Sequence, residues 1–176
     1  VYSALPFLIA NTRHLLGFEA SDYVTMKGKK VVVLGGGDTA MDCVRTSLRQ
    51  QAKSVQCVYR RDACNMPGSK KEFLNAQEEG AEFVFNTQPI AVQVDEQYRV
   101  KGLHIIKTEL GKPDASGRRA AKMIQGSEDL IECDAIIIAF GFTTTNMPWL
   151  EELHIALDNK GRILTGQHRA CLLYTS

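Results

Sequence analysis

An α/β fold with a parallel sheet and an antiparallel insert is what this sequence predicts, and three observations predict it. Residues 31–34, Val-Val-Val-Leu, form an apolar run that passes directly into Gly35-Gly36-Gly37 and then into a stretch with helical spacing. Residues 55–59, Val-Gln-Cys-Val-Tyr, supply a second strand pattern and close a β-α-β unit of about 30 residues. Residues 135–140, Ala-Ile-Ile-Ile-Ala-Phe, are continuously apolar, as in a strand buried on both faces of a parallel sheet.

The remaining elements follow in order. Ala4 to Leu16 carries Leu5, Leu8, Ile9, Leu15 and Leu16 at helical spacing and stops at Gly17. Lys27-Gly28-Lys29-Lys30 is a polar approach to the first strand. The helix after the glycines presents Met41, Val44 and Leu48 on one face and closes near Gln50. Met66-Pro67-Gly68 reads as a turn, and Ser69 with Glu72 forms a capping-box pattern for a helix running through Glu78 to a stop at Gly80. Glu82 to Phe85 reads as a third strand. Ala91–Val94 and Gly102–Ile106 alternate about a polar turn, which predicts an antiparallel meander. Gly111 to Arg119 is expected as a loop or hairpin tip, and Ile131 as the end of a short strand.

Composition narrows the classes. The 176 residues are 44% hydrophobic and 23% charged, with a net charge of +1, as expected of an ordinary globular domain. That balance gives no reason to expect nucleic acid or an acidic membrane surface as partner. No apolar run approaches the roughly 20 residues that span a bilayer, and no leader pattern opens the chain, so a cytoplasmic protein is expected. Cys43, Cys57, Cys64, Cys133 and Cys171 show neither C-x-x-C nor any metal-ligand spacing. They read as reduced thiols, no metal site is expected, and a dithiol reductase is disfavoured.

The chemistry-bearing pattern is Gly35-x-Gly37-x-x-Ala40 placed between a strand and a helix, the Rossmann-like dinucleotide fingerprint. Gly35 permits the tight turn, Gly37 allows a pyrophosphate to approach the backbone, and Ala40 lets helix and strand pack closely. Gly36 lies within the same turn. The diphosphate would meet the unpaired amides and positive dipole end of the helix beginning near Asp38. Asp38 and Thr39 either cap that helix or touch the cofactor, and capping is the simpler role.

An NAD-binding domain carries an acidic residue about 20 positions beyond its glycines, where it holds the ribose 2′-hydroxyl. Here the second strand ends in Arg60 and Arg61. Guanidinium groups pair bidentately with phosphate, so the expected cofactor is NADPH. The alternative is a solvated strand end, with Asp62 just beyond. Gly141 closes the last strand on the edge where open α/β sheets bind ligands.

No general acid or base stands near the motif, and no catalytic residue is assigned. His14, His104, His154 and His168 are scattered, Asp42 reads as structural, and Tyr23-x-x-x-Lys27 precedes the glycine motif instead of following it, so its dehydrogenase-like spacing is coincidental. Lys70, Lys71, Arg118 and Arg119 read as solvated charges. Hydride transfer to a flavin needs positioning more than proton shuttling. A β-α-β nucleotide unit, an antiparallel meander and a final parallel strand make up the pyridine-nucleotide domain of two-dinucleotide-binding flavoproteins.

Taken together, Gly-Gly-Gly-Asp-Thr-Ala-Met-Asp-Cys-Val-Arg-Thr (35–46), Tyr-Arg-Arg-Asp (59–62), Asn-Met-Pro-Gly-Ser (65–69), Glu-Glu-Gly-Ala-Glu-Phe (78–83) and Ala-Phe-Gly-Phe (139–142) resemble the glutamate synthase small-subunit family. The bacterial iron–sulfur oxidoreductases share these motifs, and the flavin half of dihydropyrimidine dehydrogenase is more distantly similar. The resemblance covers residues 1 to about 164.

It implies NADPH oxidation, with electrons passing through FAD and iron–sulfur clusters to a large glutamate synthase-type subunit or another electron-accepting subunit. In glutamate synthase the outcome is L-glutamate from glutamine and 2-oxoglutarate. The alternative is an isolated nucleotide-binding or regulatory module without turnover. Gly35, Gly37 and Ala40 carry over as the diphosphate turn, Arg60 and Arg61 as the 2′-phosphate end, and Gly141 as the return to the flavin domain. Gln51 departs from the family, which usually has Gly there; a left-handed backbone at that position costs up to about 1 kcal/mol.

The resemblance also divides the chain. Residues 1–26 match part of a flavin domain, 27–142 the NADPH domain and 143–165 a truncated return segment. The family's cysteine clusters, FAD glycine motif and closing Gly-Gly-Asp are not in this sequence. Residues 166–176 are expected to be a non-native tail, since Cys171 to Ser176 back-translates to the mosaic end of transposon sequencing adapters.

Overall fold

The computed structural model describes residues 1–113, 119–141, 147–158 and 161–164. The chain divides into two compact units, Val1–Gly141 and Phe142–Ser176. In the first, β1 (Tyr2–Ser3) leads into α1 (Ala4–Leu15), then β2 (Lys30–Leu34), α2 (Asp38–Arg49) and β3 (Ser54–Val58). A 3-10 turn at Ala63–Asn65 precedes α3 (Lys70–Glu78) and β4 (Glu82–Val84). There follow β5 (Thr87–Val94), β6 (Val100–Pro113), β7 (Arg119–Glu132) and β8 (Ala135–Ile138).

Five strands form a parallel sheet in the order β1-β8-β2-β3-β4, and β5-β6-β7 form a separate antiparallel sheet. Strand residues alternate between two cores. Val31, Val33, Val55, Cys57 and Ile137 join Ala40, Met41, Cys43 and Val44 of α2 and Phe7 of α1 on the helical side. Val32, Leu34, Val58 and Ile136 meet Leu103 and Ile105 of β6 on the other. Both faces of the parallel sheet are therefore covered, which is why its central strands are continuously apolar.

Several local expectations are revised. In α1 the buried residues are Ala4, Phe7 and Ala10, and Leu8 packs half-buried against the core, whereas Leu5, Ile9, Leu15 and the following Leu16 of the apolar stripe are exposed; only part of the stripe forms the packing side. The hairpin tip expected at Gly111 to Arg119 falls where β6 gives way to β7, although paired strand extends to Pro113 and Arg119 and residues 114–118 lie outside the described residues. The short strand expected to end near Ile131 is instead the 14-residue β7, paired with β6 from Gly102↔Glu132 to Pro113↔Arg119.

The capping box at Ser69 does not form. The Ser69 side chain makes no cap bond, its amide donates to Asp38 Oδ1 at 2.6 Å, and Glu72 pairs with Arg45. A charged partner on a neighbouring helix outcompetes the local cap. Gln51 does adopt a left-handed backbone, with φ of 63°.

In the second unit, α4 spans Pro148–Glu152. An antiparallel bridge joins Leu157 to Ile163, and Arg162 pairs with Asp158 at 2.7 Å. Residues 166–176, expected as a tail, lie outside the described residues. Among the described residues no helix is long and apolar enough to cross a membrane, and no cluster of metal-ligating side chains occurs.

Candidate dinucleotide-binding site

The glycine turn sits at the carboxyl edge of the parallel sheet, between β2 and α2, and each glycine is required for a different reason. Gly35 has φ of +145°, and a Cβ there would stand 2.3 Å from the Ala139 carbonyl oxygen. Its amide donates to the Val58 carbonyl at 3.2 Å, and its carbonyl accepts the Cys57 thiol at 3.2 Å. Gly36 lies on the Tyr59 ring, where a Cβ would fall 2.7 Å from two ring carbons. Gly37 is the residue whose missing Cβ faces open space. Ala40 is fully buried under the turn.

Beyond Gly35, the first backbone donors of this turn meet no acceptor among the described residues. The Ala40 and Met41 amides donate back to the Gly37 carbonyl at 2.9 and 3.2 Å. The preceding amides of Gly36, Gly37, Asp38 and Thr39 meet no acceptor among the described residues. Four successive free N–H groups at a helix N-terminus form a concavity suited to an anion. Gly37, the residue preceding α2, caps the helix with an extended backbone and no side-chain bond. Asp38 therefore does not cap its own helix. It is exposed, and its carboxylate holds the Ser69 amide; Thr39 is half-buried.

A second loop, unassigned from sequence beyond a turn, closes against the first. The Gly68 amide donates to the Gly36 carbonyl at 2.9 Å, and a Cβ on Gly68 would lie 3.0 Å from that same oxygen. Tyr59 is buried and its hydroxyl donates to the Asn65 carbonyl at 2.8 Å. The Asp62 carboxylate accepts from the Asn65 amide at 2.9 Å. Tyr59, Asn65, Gly68 and Asp38 thus bind the 62–69 segment onto the glycine turn. The motif Asn-Met-Pro-Gly-Ser was the only signal of this in the sequence.

Arg60 and Arg61 follow β3 on the same edge and diverge. Arg60 is exposed. Arg61 is 8% exposed, and its Nε has no hydrogen-bond partner among the described residues. A guanidinium is permanently charged, so burying it without a carboxylate leaves an unmet demand for an anion. Gly141, at φ of +101° and open to solvent, follows Ala139 by two residues and so ends at the same edge.

The thiols beneath the turn are not nucleophiles. Burial pushes Cys43 and Cys57 up to about 12, and Cys133 up to about 11. No disulfide joins the described cysteines.

A glycine turn with free amides, crossed by a parallel sheet and backed by an antiparallel one, defines a pyridine-nucleotide domain of the two-dinucleotide flavoprotein fold. The family model "Pyridine nucleotide-disulphide oxidoreductase" matches residues 8–170, and the chain belongs to that family. More particularly, it is 58% identical over 167 residues to the glutamate synthase [NADPH] small chain of Escherichia coli (strain K12), across 93% of this chain and 35% of that relative. It is 51% identical over 178 residues to the glutamate synthase [NADPH] small chain of Halomonas elongata, across 100% of this chain and 37% of that one. The chain therefore spans about a third of these relatives' length. Among solved structures, T. acidophilum thioredoxin reductase superposes with a TM-score of 0.58 at 20% identity, over 80% of this chain and 40% of that one; this likeness is one of fold.

Proposed function

We propose that this chain is the NADPH-binding, electron-entry domain of an FAD- and iron–sulfur-dependent oxidoreductase of the glutamate synthase small-chain type. The observation that carries the reading is the row of amides at Gly36, Gly37, Asp38 and Thr39 that meet no acceptor among the described residues, open to solvent at Gly37, with the buried, unpartnered Nε of Arg61 on the neighbouring strand end. A diphosphate and a 2′-phosphate fit these two groups of donors by charge and by hydrogen-bonding capacity.

In this reading Gly35 and Gly36 shape the turn, and the amides of residues 36–39 hold the diphosphate. Ala40 keeps the helix dipole against it, and Arg60 and Arg61 pair with the 2′-phosphate. Gly141 turns the chain away so that the edge stays open. NADPH, when bound, supplies a hydride for a flavin. Residues 1–26 and 143–165 then belong with the flavin domain, and the clusters and the electron-accepting large subunit lie outside this sequence. No proton transfer by this domain is required, in keeping with the absence of an assigned acid or base.

Calorimetric titration with NADP+ and NAD+ tests the reading. Wild-type protein should favour NADP+, and replacing both Arg60 and Arg61 by Ala should weaken NADP+ by about 100-fold with little change for NAD+. Equal weakening of the two nucleotides refutes the 2′-phosphate assignment.

A further inference from the structure

We propose that Thr108, on the antiparallel sheet, is a positioning residue for nucleotide selectivity: it fixes the peptide that carries Arg60 and Arg61. This inference rests on the assignment of those arginines to the 2′-phosphate and extends it to a residue 48 positions away.

The observation is a closed circuit of hydrogen bonds at the carboxyl edge of the sheet. The Thr108 hydroxyl donates to the Arg60 carbonyl at 2.9 Å. The Thr108 amide donates to the Asn86 carbonyl at 2.8 Å, and the Asn86 amide donates to the Arg61 carbonyl at 3.0 Å. Beneath this, the Thr87 amide donates to the Tyr59 carbonyl at 3.1 Å, and the Tyr59 amide to the Val84 carbonyl at 3.0 Å. Every carbonyl from Tyr59 to Arg61 is therefore taken, by Thr87 at the start of β5, by Thr108 of β6 and by Asn86 of the β4–β5 connection.

Two features mark the circuit as built. Asn86 sits at φ of 49°, in the left-handed region that asparagine tolerates better than most residues, which lets its amide and carbonyl serve two different segments. Thr108 is 4% exposed and lies just past a register shift in the β6–β7 pairing. Pairing of β5 with β6 ends at Thr87↔Lys107, so the Thr108 amide is free of the ladder and available to Asn86.

The consequence concerns preorganisation. A strand end with free carbonyls would sample many backbone conformations, each moving the guanidinium groups by ångströms, and ordering it on binding would cost affinity. With the carbonyls engaged, the arginine Cα positions are set before phosphate arrives. The diphosphate turn is anchored separately, through Ala139, Val58 and Gly68. Loss of the Thr108 hydroxyl should therefore act on the 2′-phosphate and spare the rest of the nucleotide.

Calorimetry with 2′,5′-ADP and 5′-AMP on the 176-residue chain separates these contributions. Wild type should favour 2′,5′-ADP. Thr108→Val should reduce that preference about fivefold, the equivalent of one hydrogen bond, while 5′-AMP affinity holds and Thr108→Ser recovers the wild-type value. Should Thr108→Val fail to fold, Thr108→Ala carries the same comparison.

An unchanged preference in the hydroxyl-free variant overturns the inference, and so does equal weakening of both ligands, which marks a purely structural role. If wild type itself shows no preference, or the double Arg60/Arg61→Ala variant retains it, the arginine assignment falls and the role of Thr108 with it. A retained preference in Thr108→Val alone rejects only the latter.

Discussion

The α-carbon of Gly35 faces the carbonyl oxygen of Ala139 so closely that an added methyl carbon would lie 2.3 Å from it. The glycine turn is thus set by the return of β8 as much as by its own sequence. Gly35→Ala meets both a backbone clash and a φ of +145°. It should destabilise the fold by roughly 3 kcal/mol in urea titration. Gly37→Ala meets no atom within 4 Å and has φ of −92°, which alanine adopts freely. Its stability should stay within about 0.5 kcal/mol of wild type, while NADP+ binding weakens about tenfold or more, because the methyl fills the space where the diphosphate approaches. Comparable effects on folding for the two variants would contradict this division of roles.

Tyr59 connects the two loops of the site, its ring under Gly36 and its hydroxyl on the Asn65 carbonyl. Tyr59→Phe keeps the ring and removes the bond, so it should cost about 1 kcal/mol. Hydrogen exchange should accelerate at amides of residues 62–69 and stay unchanged in β2 and β3. Uniform acceleration would mean that the loop is held by something else.

Glu79 ends α3, where the helix dipole disfavours a carboxylate. The Arg45 guanidinium, and then Arg49, bond its Oε1 at 2.8 and 2.9 Å and hold its carboxyl below the usual carboxylate range. Folding lowers this pKa, so the folded state binds fewer protons through that range. The stabilisation is complete above the ordinary carboxylate value and is lost as pH falls through the lowered one. Glu79→Gln should cost about 1–2 kcal/mol at neutral pH, and its deficit against wild type should shrink as pH falls below the ordinary carboxylate range. A deficit independent of pH would remove the ionic explanation.

Gln51 carries a side chain at φ of 63°, in the left-handed region where glycine is unstrained. Gln51→Gly should therefore raise stability by up to about 1 kcal/mol in thermal or urea unfolding, with nucleotide binding unchanged. The Gln51 carbonyl accepts from Gly28 at 2.9 Å, and the substitution retains that bond. A loss of stability would show that the side chain contributes more than the backbone strain costs.

The legible features were those whose cause is local. A run of branched residues entering Gly35-Gly36-Gly37, with small Ala40 one helical turn on, specifies strand, turn and helix within one short window. The positive charge at Arg60 and Arg61 was equally plain. Where sequence reasoning went astray, a distant partner had intervened. Ser69 and Glu72 look like a capping box until Asp38 takes the Ser69 amide and Arg45 takes Glu72. The strand ending near Ile131 looks short until its pairing with β6 shows it to reach back to Arg119. The apolar stripe of α1 looks like one core face until Leu5, Ile9 and Leu15 prove exposed and Ala4, Phe7 and Ala10, with Leu8 beside them, do the packing.

By itself, then, the sequence determined the β-α-β unit, the glycine turn, the basic strand end and the membership of a flavoprotein family, because periodicity, residue size and charge act between neighbours in the chain. Only the tertiary structure decided which atoms secure the site: Ala139 against Gly35, Gly68 on Gly36, and Thr108 and Asn86 on the arginine peptide. Those contacts join segments distant in the chain through backbone carbonyls and amides that nearly every residue possesses. Side-chain identity does not specify such pairings. Sheet order and register do.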